Sequence, residues 1–377
     1  MFNNLWYPKE SPVQGVGGLW GGNFGNLVGG ASGPLYEFTE ATFTGVTRSQ
    51  NGPSLSEAKT LCTGPSSGNF KNDTAFFNVS SGFIVWTVPE EGTYRFKLAG
   101  GRGGANYDYS YSVTQDAPAA IMQADFVLTQ GTYLAMVIAS EGDPGYGNVN
   151  TGSNAGGGSF IWDSSAQSSP YTGGIGGNTL LLAAGGGGSA CPSGQQNNNA
   201  QSNYGGTSTA APSPNGSGPA GTPGSNGTGG TRGSTGDYDG CAGAGWTSNC
   251  NDNVCGKRYA GGSDTQQTSP MHGGWGGGGG ANDSTRQQYV PAVGESVPWA
   301  HGRAGGGGYS GGCGGHYTHV GSGGGSYCKN SAVANSLSKS NGSFSTSGSE
   351  HSTAYSGSVA NLSAFNAGPG YVQIVKQ

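Results

Sequence analysis

The chain has 377 residues, of which 79 are glycine and 18 proline; 9% are charged and the formal net charge is −5. Typical domains carry about 25% charged residues, and with no basic stripe or cluster nucleic acid is excluded as a partner. No apolar run approaches the ~20 residues of a membrane-crossing helix, and the five histidines accompany no nucleophile elbow or partnered base, so neither membrane insertion nor catalysis is expected.

So much glycine usually signals disorder. Disordered chains, however, are charge-rich and aromatic-poor, whereas this one is charge-poor and 10% aromatic. Order is the favoured reading.

Residues 1–33 place Trp6, Tyr7, Trp20 and Phe24 among glycines without usable periodicity. A flexible tail rarely carries two tryptophans, so the segment reads as an anchor peptide whose rings plug a partner's pockets. The opening Met1-Phe2-Asn3-Asn4-Leu5-Trp6-Tyr7-Pro8 lacks the basic and apolar regions of a signal peptide. Export through the general secretory route is therefore not expected.

Residues 35–44 and 83–99 have strand character. Phe83-Ile84-Val85-Trp86-Thr87-Val88, the turn Pro89-Glu90-Glu91-Gly92 and Thr93-Tyr94-Arg95-Phe96-Lys97-Leu98 predict a hairpin. In the second arm Tyr94, Phe96 and Leu98 alternate with polar residues, which gives one buried and one wet face. Residues 120–128 and 133–139 predict a second pair, and 159–162, 179–184 and 371–375 further strands. The one predicted helix covers 54–61. Strands of this number and length imply a β-sandwich.

The last strand follows some 180 residues of glycine-rich chain, yet Val372 and Val375 need a core. It must return to the sandwich. The organisation is therefore an anchor (1–33), a sandwich (34–184 plus 365–377) and a glycine-rich insertion (185–364).

Within the insertion, glycine recurs every third residue at 218, 221, 224, 227, 230, 233 and 236, and again at 302, 305, 308, 311 and 314. That is the period of the polyproline II helix, in which a glycine stripe lets backbones touch. Three readings compete: a collagen triple helix, a disordered loop, and a bundle of polyproline II helices within one chain. Collagen is disfavoured, since only two prolines fall in the first run. The bundle is favoured, its N–H and C=O groups finding partners on adjacent helices. As one rod, 302–314 would span roughly 40 Å.

Six of the seven cysteines (Cys191, Cys241, Cys250, Cys255, Cys313, Cys328) lie where an apolar core is hardest to build; Cys62 is the seventh. They read as disulfide staples, with at least one left over. Cys313, His316, His319 and Cys328 fit no standard zinc spacing. Asp237, Asp239 and Asp252 read as solvated loop carboxylates rather than a calcium site. No metal or cofactor is expected. The rings of Trp246, Trp275, Trp299, Tyr309, Tyr317 and Tyr327 admit two readings. They cap rods and cover lattice edges, or they form an exposed platform for a glycan or a host surface protein.

Several stretches carry a resemblance. These are Phe43-Thr44-Gly45-Val46-Thr47, Asn51-Gly52-Pro53-Ser54-Leu55-Ser56, 83–89, Gly92-Thr93-Tyr94, Ala99-Gly100-Gly101-Arg102-Gly103-Gly104, 180–188 and Gly368-Pro369-Gly370-Tyr371-Val372. In this order they resemble the glycine-rich domain of anaplastic lymphoma kinase and leukocyte tyrosine kinase receptors. They are more similar still to homologous domains of bacteriophage structural and tail-fibre proteins. The opening peptide resembles the start of cyanophage virion proteins.

The resemblance implies a tumour-necrosis-factor-like sandwich interleaved with a polyproline II lattice. It further implies a homotrimeric virion component assembled in the host cytoplasm, with residues 1–33 docked on other virion proteins. A tail fibre or adhesin is the favoured role. A capsid decoration, a baseplate accessory or a secreted glycine-rich matrix protein is the alternative.

Overall fold

The computed structural model describes residues 33–107, 113–146, 153–165, 179–189, 211, 221–232, 240–250, 256–257, 259, 273–290, 295–315, 321–329, 334–340, 343–346 and 368–377. The chain divides into Met1–Gly33 and Pro34–Gln377. Trp6, Tyr7, Trp20 and Phe24 lie outside the described residues.

In chain order the elements are β1 (Glu40–Thr44), α1 (Leu55–Leu61), β2 (Cys62–Thr63), α2 (Ser67–Phe70), β3 (Phe77–Ser80), β4 (Phe83–Thr87) and β5 (Gly92–Ala99). There follow β6 (Gly103–Tyr107), β7 (Val113–Ala117), β8 (Ile121–Leu128), β9 (Tyr133–Val137), β10 (Gly145–Tyr146), β11 (Ser159–Asp163) and β12 (Thr179–Ala184). The rest are β13 (Asn282–Val290), β14 (Glu295–His301), β15 (Tyr327–Cys328), β16 (Ala334–Ser340), β17 (Ser343–Thr346) and β18 (Tyr371–Lys376).

Two antiparallel sheets pack as a sandwich. The first runs β17-β16-β8-β5-β18-β1-β2 and the second β15-β12-β11-β9-β4-β3. Alternation decides the inward face of the first sheet. Tyr94, Phe96 and Leu98 on β5, Met122, Ala124 and Phe126 on β8, and Val372 and Ile374 on β18 all enter one core. From the second sheet Phe77, Ile84, Trp86, Leu134, Met136 and Ile161 meet them. Trp86 is fully buried there, with Phe38 at 5.1 Å and Tyr94 at 5.9 Å between ring centroids. The helix α1 begins at Ser54 with a reciprocal cap: Glu57 N–H donates to Ser54 Oγ, and Ser54 N–H to Glu57 Oε2.

The closing strand does return. β18 lies between β1 and β5, pairing Val372 with Phe43 on one side and with Leu98 on the other.

Neither predicted hairpin forms. β4 pairs with β3 and β9, whereas β5 pairs with β18 and β8. The same division separates β8 from β9. The turns after 87 and 128 carry the chain from one sheet to the other instead of folding a strand onto itself. Burial supplies the reason. Every residue of β4 is buried, while β5 alternates. A strand apolar on both faces needs a cover on both sides, which the wet-faced sheet of β5 cannot offer.

Beyond the ladders, glycine segments from both halves of the chain bond to one another. The N–H groups of Gly305, Gly306 and Gly307 donate to Cys241, Ser322 and Gly156, at 2.8, 2.8 and 3.0 Å. Three successive residues thus point to three different neighbours. Where two segments run together they meet at every third residue. Gly311 and Gly314 donate to Thr228 and Thr231, and Gly240 and Gly243 donate to Gly315 and Gly312. Gly101, Gly156 and Gly157, from before residue 185, belong to the same network through Gly187 and Ser140.

The segments are short. Residues 302–314 do not make one rod: the chain reverses at Tyr309-Ser310, so that Gly312 N–H donates to Gly306 O at 2.8 Å and Arg303 bridges Gly315. Residues 221–231 reverse at Asn226-Gly227, and Thr231 N–H donates to Thr222 O at 2.9 Å. Both central residues of that turn have positive φ, 51° and 86°. This is the geometry that an Asn-Gly pair adopts at least cost.

Candidate functional site

The outer face of the second sheet is apolar: Phe83, Val85, Ala135, Val137, Phe160, Trp162, Leu180 and Ala183. Trp246, Tyr259 and Trp275 cover it. Trp246 stacks on Phe160 at 5.7 Å, Tyr259 stacks on Trp162 at 6.0 Å, and Trp275 lies 5.6 Å from Phe83. Trp246 and Trp275 are 5% and 4% exposed. Rings so enclosed offer no face to a sugar. Trp275 is fixed by its backbone, whose N–H donates to Ser49 O and Ser140 Oγ, both at 2.6 Å.

Tyr309 and Tyr327 occupy a different setting. Both are half-buried, stacked at 4.7 Å with 24° between ring planes, and packed against the edge of this covered cluster. Burial, then the neighbouring Tyr309 and Cys328, raises the Tyr327 phenol above its usual range. Trp246 N–H donates to Tyr309 O, and Tyr309 N–H to Gly325 O, each at 2.8 Å. The 225–228 turn stands beside Tyr309. Gly227 N–H donates to Ser310 Oγ at 3.1 Å, and Gly227 O accepts from both N–H and Oγ1 of Thr247, at 2.7 and 2.8 Å. A methyl group at Gly227 would approach Thr247 Cγ2 to 2.9 Å and Tyr309 Cζ to 3.6 Å.

Of the six rings singled out in the sequence, four therefore fall on one side of the molecule as two buried and two half-buried members. Trp299 lies in β14, and Tyr317 lies outside the described residues. Sequence reasoning passed over Tyr259, which no periodicity marks, and the Asn226-Gly227 turn, which its dipeptide marks well.

The remaining chemistry is local. Glu141, buried, accepts from Arg102 at 3.2 Å and lies 3.3 Å from Arg48. This clasp ties the loop after β1 to the glycine network. Cys62 and Cys313 are buried thiols, so the expected staple at Cys313 is not formed. Cys313 Sγ instead lies 3.4 Å from Ser322 Oγ. Burial pushes the Cys62 thiol up to about 12 and raises that of Cys313 as well. His316, His319, Asp237, Asp239, Asp252, Cys191 and Cys255 lie outside the described residues. Among the described residues, no group of histidine, cysteine and carboxylate side chains is arranged to hold a metal, and no helix is long and apolar enough to cross a membrane.

No protein-family model matches this chain, and no curated protein matches it either.

Proposed function

We propose that this chain is a non-enzymatic structural protein of a bacteriophage particle: a tail fibre, adhesin or peripheral appendage that holds a stiff surface toward the host. Its sandwich is of the tumour-necrosis-factor type, associates as a trimer, and carries a lattice of polyproline II segments. Residues 1–33 dock it on other virion proteins.

The observation that carries this reading is the recurrence of backbone bonds at every third residue. Gly311 and Gly314 meet Thr228 and Thr231, and Gly240 and Gly243 meet Gly315 and Gly312. A helix with three residues per turn, and no internal hydrogen bonds, offers partners with that spacing. Ordering a residue costs about 1–2 kcal/mol in backbone entropy, and more for glycine. Bonding in several directions at once offsets that cost and leaves a body that resists bending. Stiffness combined with few charges suits an appendage exposed outside a cell. The likeness to glycine-rich domains of phage proteins supplies the virion setting.

The test is made on particles. Deleting residues 1–33 is expected to abolish incorporation while residues 34–377 remain folded, and particles lacking the chain are expected to lose adsorption to the host. Normal incorporation of the truncated chain sinks the anchor. Normal adsorption without the chain makes it a decoration or baseplate accessory.

A further inference from the structure

Tyr309 and Tyr327 come from two segments that their backbones tie together. Tyr309 N–H donates to Gly325 O at 2.8 Å, and Gly325 N–H returns a bond to Ser310 O at 2.7 Å. Tyr327 sits in β15, opposite Ala183 of β12. The two rings are thereby held face to face. Their centroids lie 4.7 Å apart with 24° between planes, an offset stack in which ring carbons of the two residues touch. Tyr309 opposes the charge of a Tyr327 phenolate, which fits phenol oxygens on the same side of the stack. Both side chains keep part of their surface in solvent.

We propose that Tyr309 and Tyr327 are a site of oxidative cross-linking, joined ortho carbon to ortho carbon as dityrosine. Each phenol gives one electron and its hydroxyl proton to a one-electron oxidant, which leaves two tyrosyl radicals. Their spin density resides partly on the carbons ortho to oxygen, so the radicals pair there and a C–C bond forms. The hydrogen on each of those carbons then moves to the neighbouring oxygen and restores the phenol. The sum is two hydrogens removed, and hydrogen peroxide as terminal acceptor becomes two waters. Contact carries the step, because a short-lived radical couples most readily with a partner already placed beside it. The bond fastens the chain reversal at Tyr309-Ser310 to β15, and by closing a loop it restricts the unfolded chain. The inference goes beyond the appendage reading and holds whatever assembly the chain belongs to.

The experiment treats the full chain with hydrogen peroxide and a small haem peptide as the one-electron catalyst. Denaturing gels, dityrosine fluorescence and mass spectrometry of digested peptides read the product. An adduct within one chain is expected, joining the peptides that carry Tyr309 and Tyr327 with loss of two hydrogens. In urea, where the stack is gone, its yield is expected to fall about tenfold. Tyr309→Phe and Tyr327→Phe each keep the ring and remove the phenol, so the fold stays, and an unchanged thermal melt checks this. Neither variant is expected to give the adduct, and the treated parent should unfold at higher urea than treated Tyr309→Phe.

The proposal is overturned if no adduct of 309 with 327 forms under conditions that couple free tyrosine. It is equally overturned if the adduct joins other tyrosines instead, such as Tyr133, which is 47% exposed, or if urea leaves the yield unchanged. Cys328 supplies the last arm, since its thiol adjoins Tyr327 and can trap a radical there. Cys328→Ser is expected to keep or raise the yield. Loss of the product in that variant would make it a tyrosine–cysteine thioether and sink the dityrosine.

Discussion

A methyl group at Gly157 would fall inside the carbonyl oxygen of Trp275, and the obstruction is backbone on both sides. Gly157→Ala is therefore expected to cost more than about 3 kcal/mol, seen as a large loss of denaturant midpoint or as failure to fold. Gly68, within α2, meets nothing within 4 Å. There Ala is expected to add about 0.5–1 kcal/mol by reducing the freedom of the unfolded chain. The two substitutions are chemically identical and opposite in sign, and urea titration of each variant checks the pair. Cys62 adds a pH dependence. Its thiol, ordinarily near 9.0, is pushed up to about 12 because burial penalises the thiolate. A raised folded value means the stabilisation is whole below pH 9 and is lost as pH climbs from 9 toward 12, at up to about 1.4 kcal/mol per pH unit. Melts between pH 8 and 11 should show this fall, and Cys62→Ala should flatten that part of it.

The covered sheet sets what each element needs. Phe83, Phe160 and Trp162 face Trp246, Tyr259 and Trp275, so the sandwich depends on rings supplied by the glycine-rich half. Trp275→Ala is expected to cost about 3–5 kcal/mol and to increase binding of a hydrophobic dye, because Phe83 loses the ring that packs on it. An unchanged melt with no dye signal would contradict the dependence. These elements differ in how legible they were. The strand at 92–99 follows from alternation and that at 83–87 from an apolar run, and the strands at 121–128, 133–137 and 371–376 and the helix at 55–61 were legible as well. Which strand pairs with which was not. The uninterrupted apolar run of β4 already distinguished it from the alternating β5, but a short turn between two strands looks the same in sequence whether it folds a ladder or crosses a core. The site was half legible. Tyr309 and Tyr327 stood out as large rings among glycines, whereas the burial of Trp246 and Trp275 depends on contacts with residues about 85–190 positions away. No local pattern encodes such a contact.

For the whole molecule, the glycine network is expected to open only with the fold itself. The amides of Gly186, Gly243, Gly307 and Gly311 each have a backbone acceptor on a distant segment, so their hydrogen exchange should be as slow as that of β5. Exchange at random-coil rates in these four would remove the rigid body and its role together. One consequence lies in the position of β18. It fills the slot between β1 and β5, two strands that lie more than 250 residues before it in the chain. Until residues 371–376 leave the ribosome, that slot stays open, and two edges that belong together face solvent. A translation product cut short anywhere in the glycine-rich stretch cannot seal it. Emergence of residues 371–376 is thus the step that permits closure, and a nascent chain stalled before Tyr371 should remain as protease-sensitive as one stalled at residue 200.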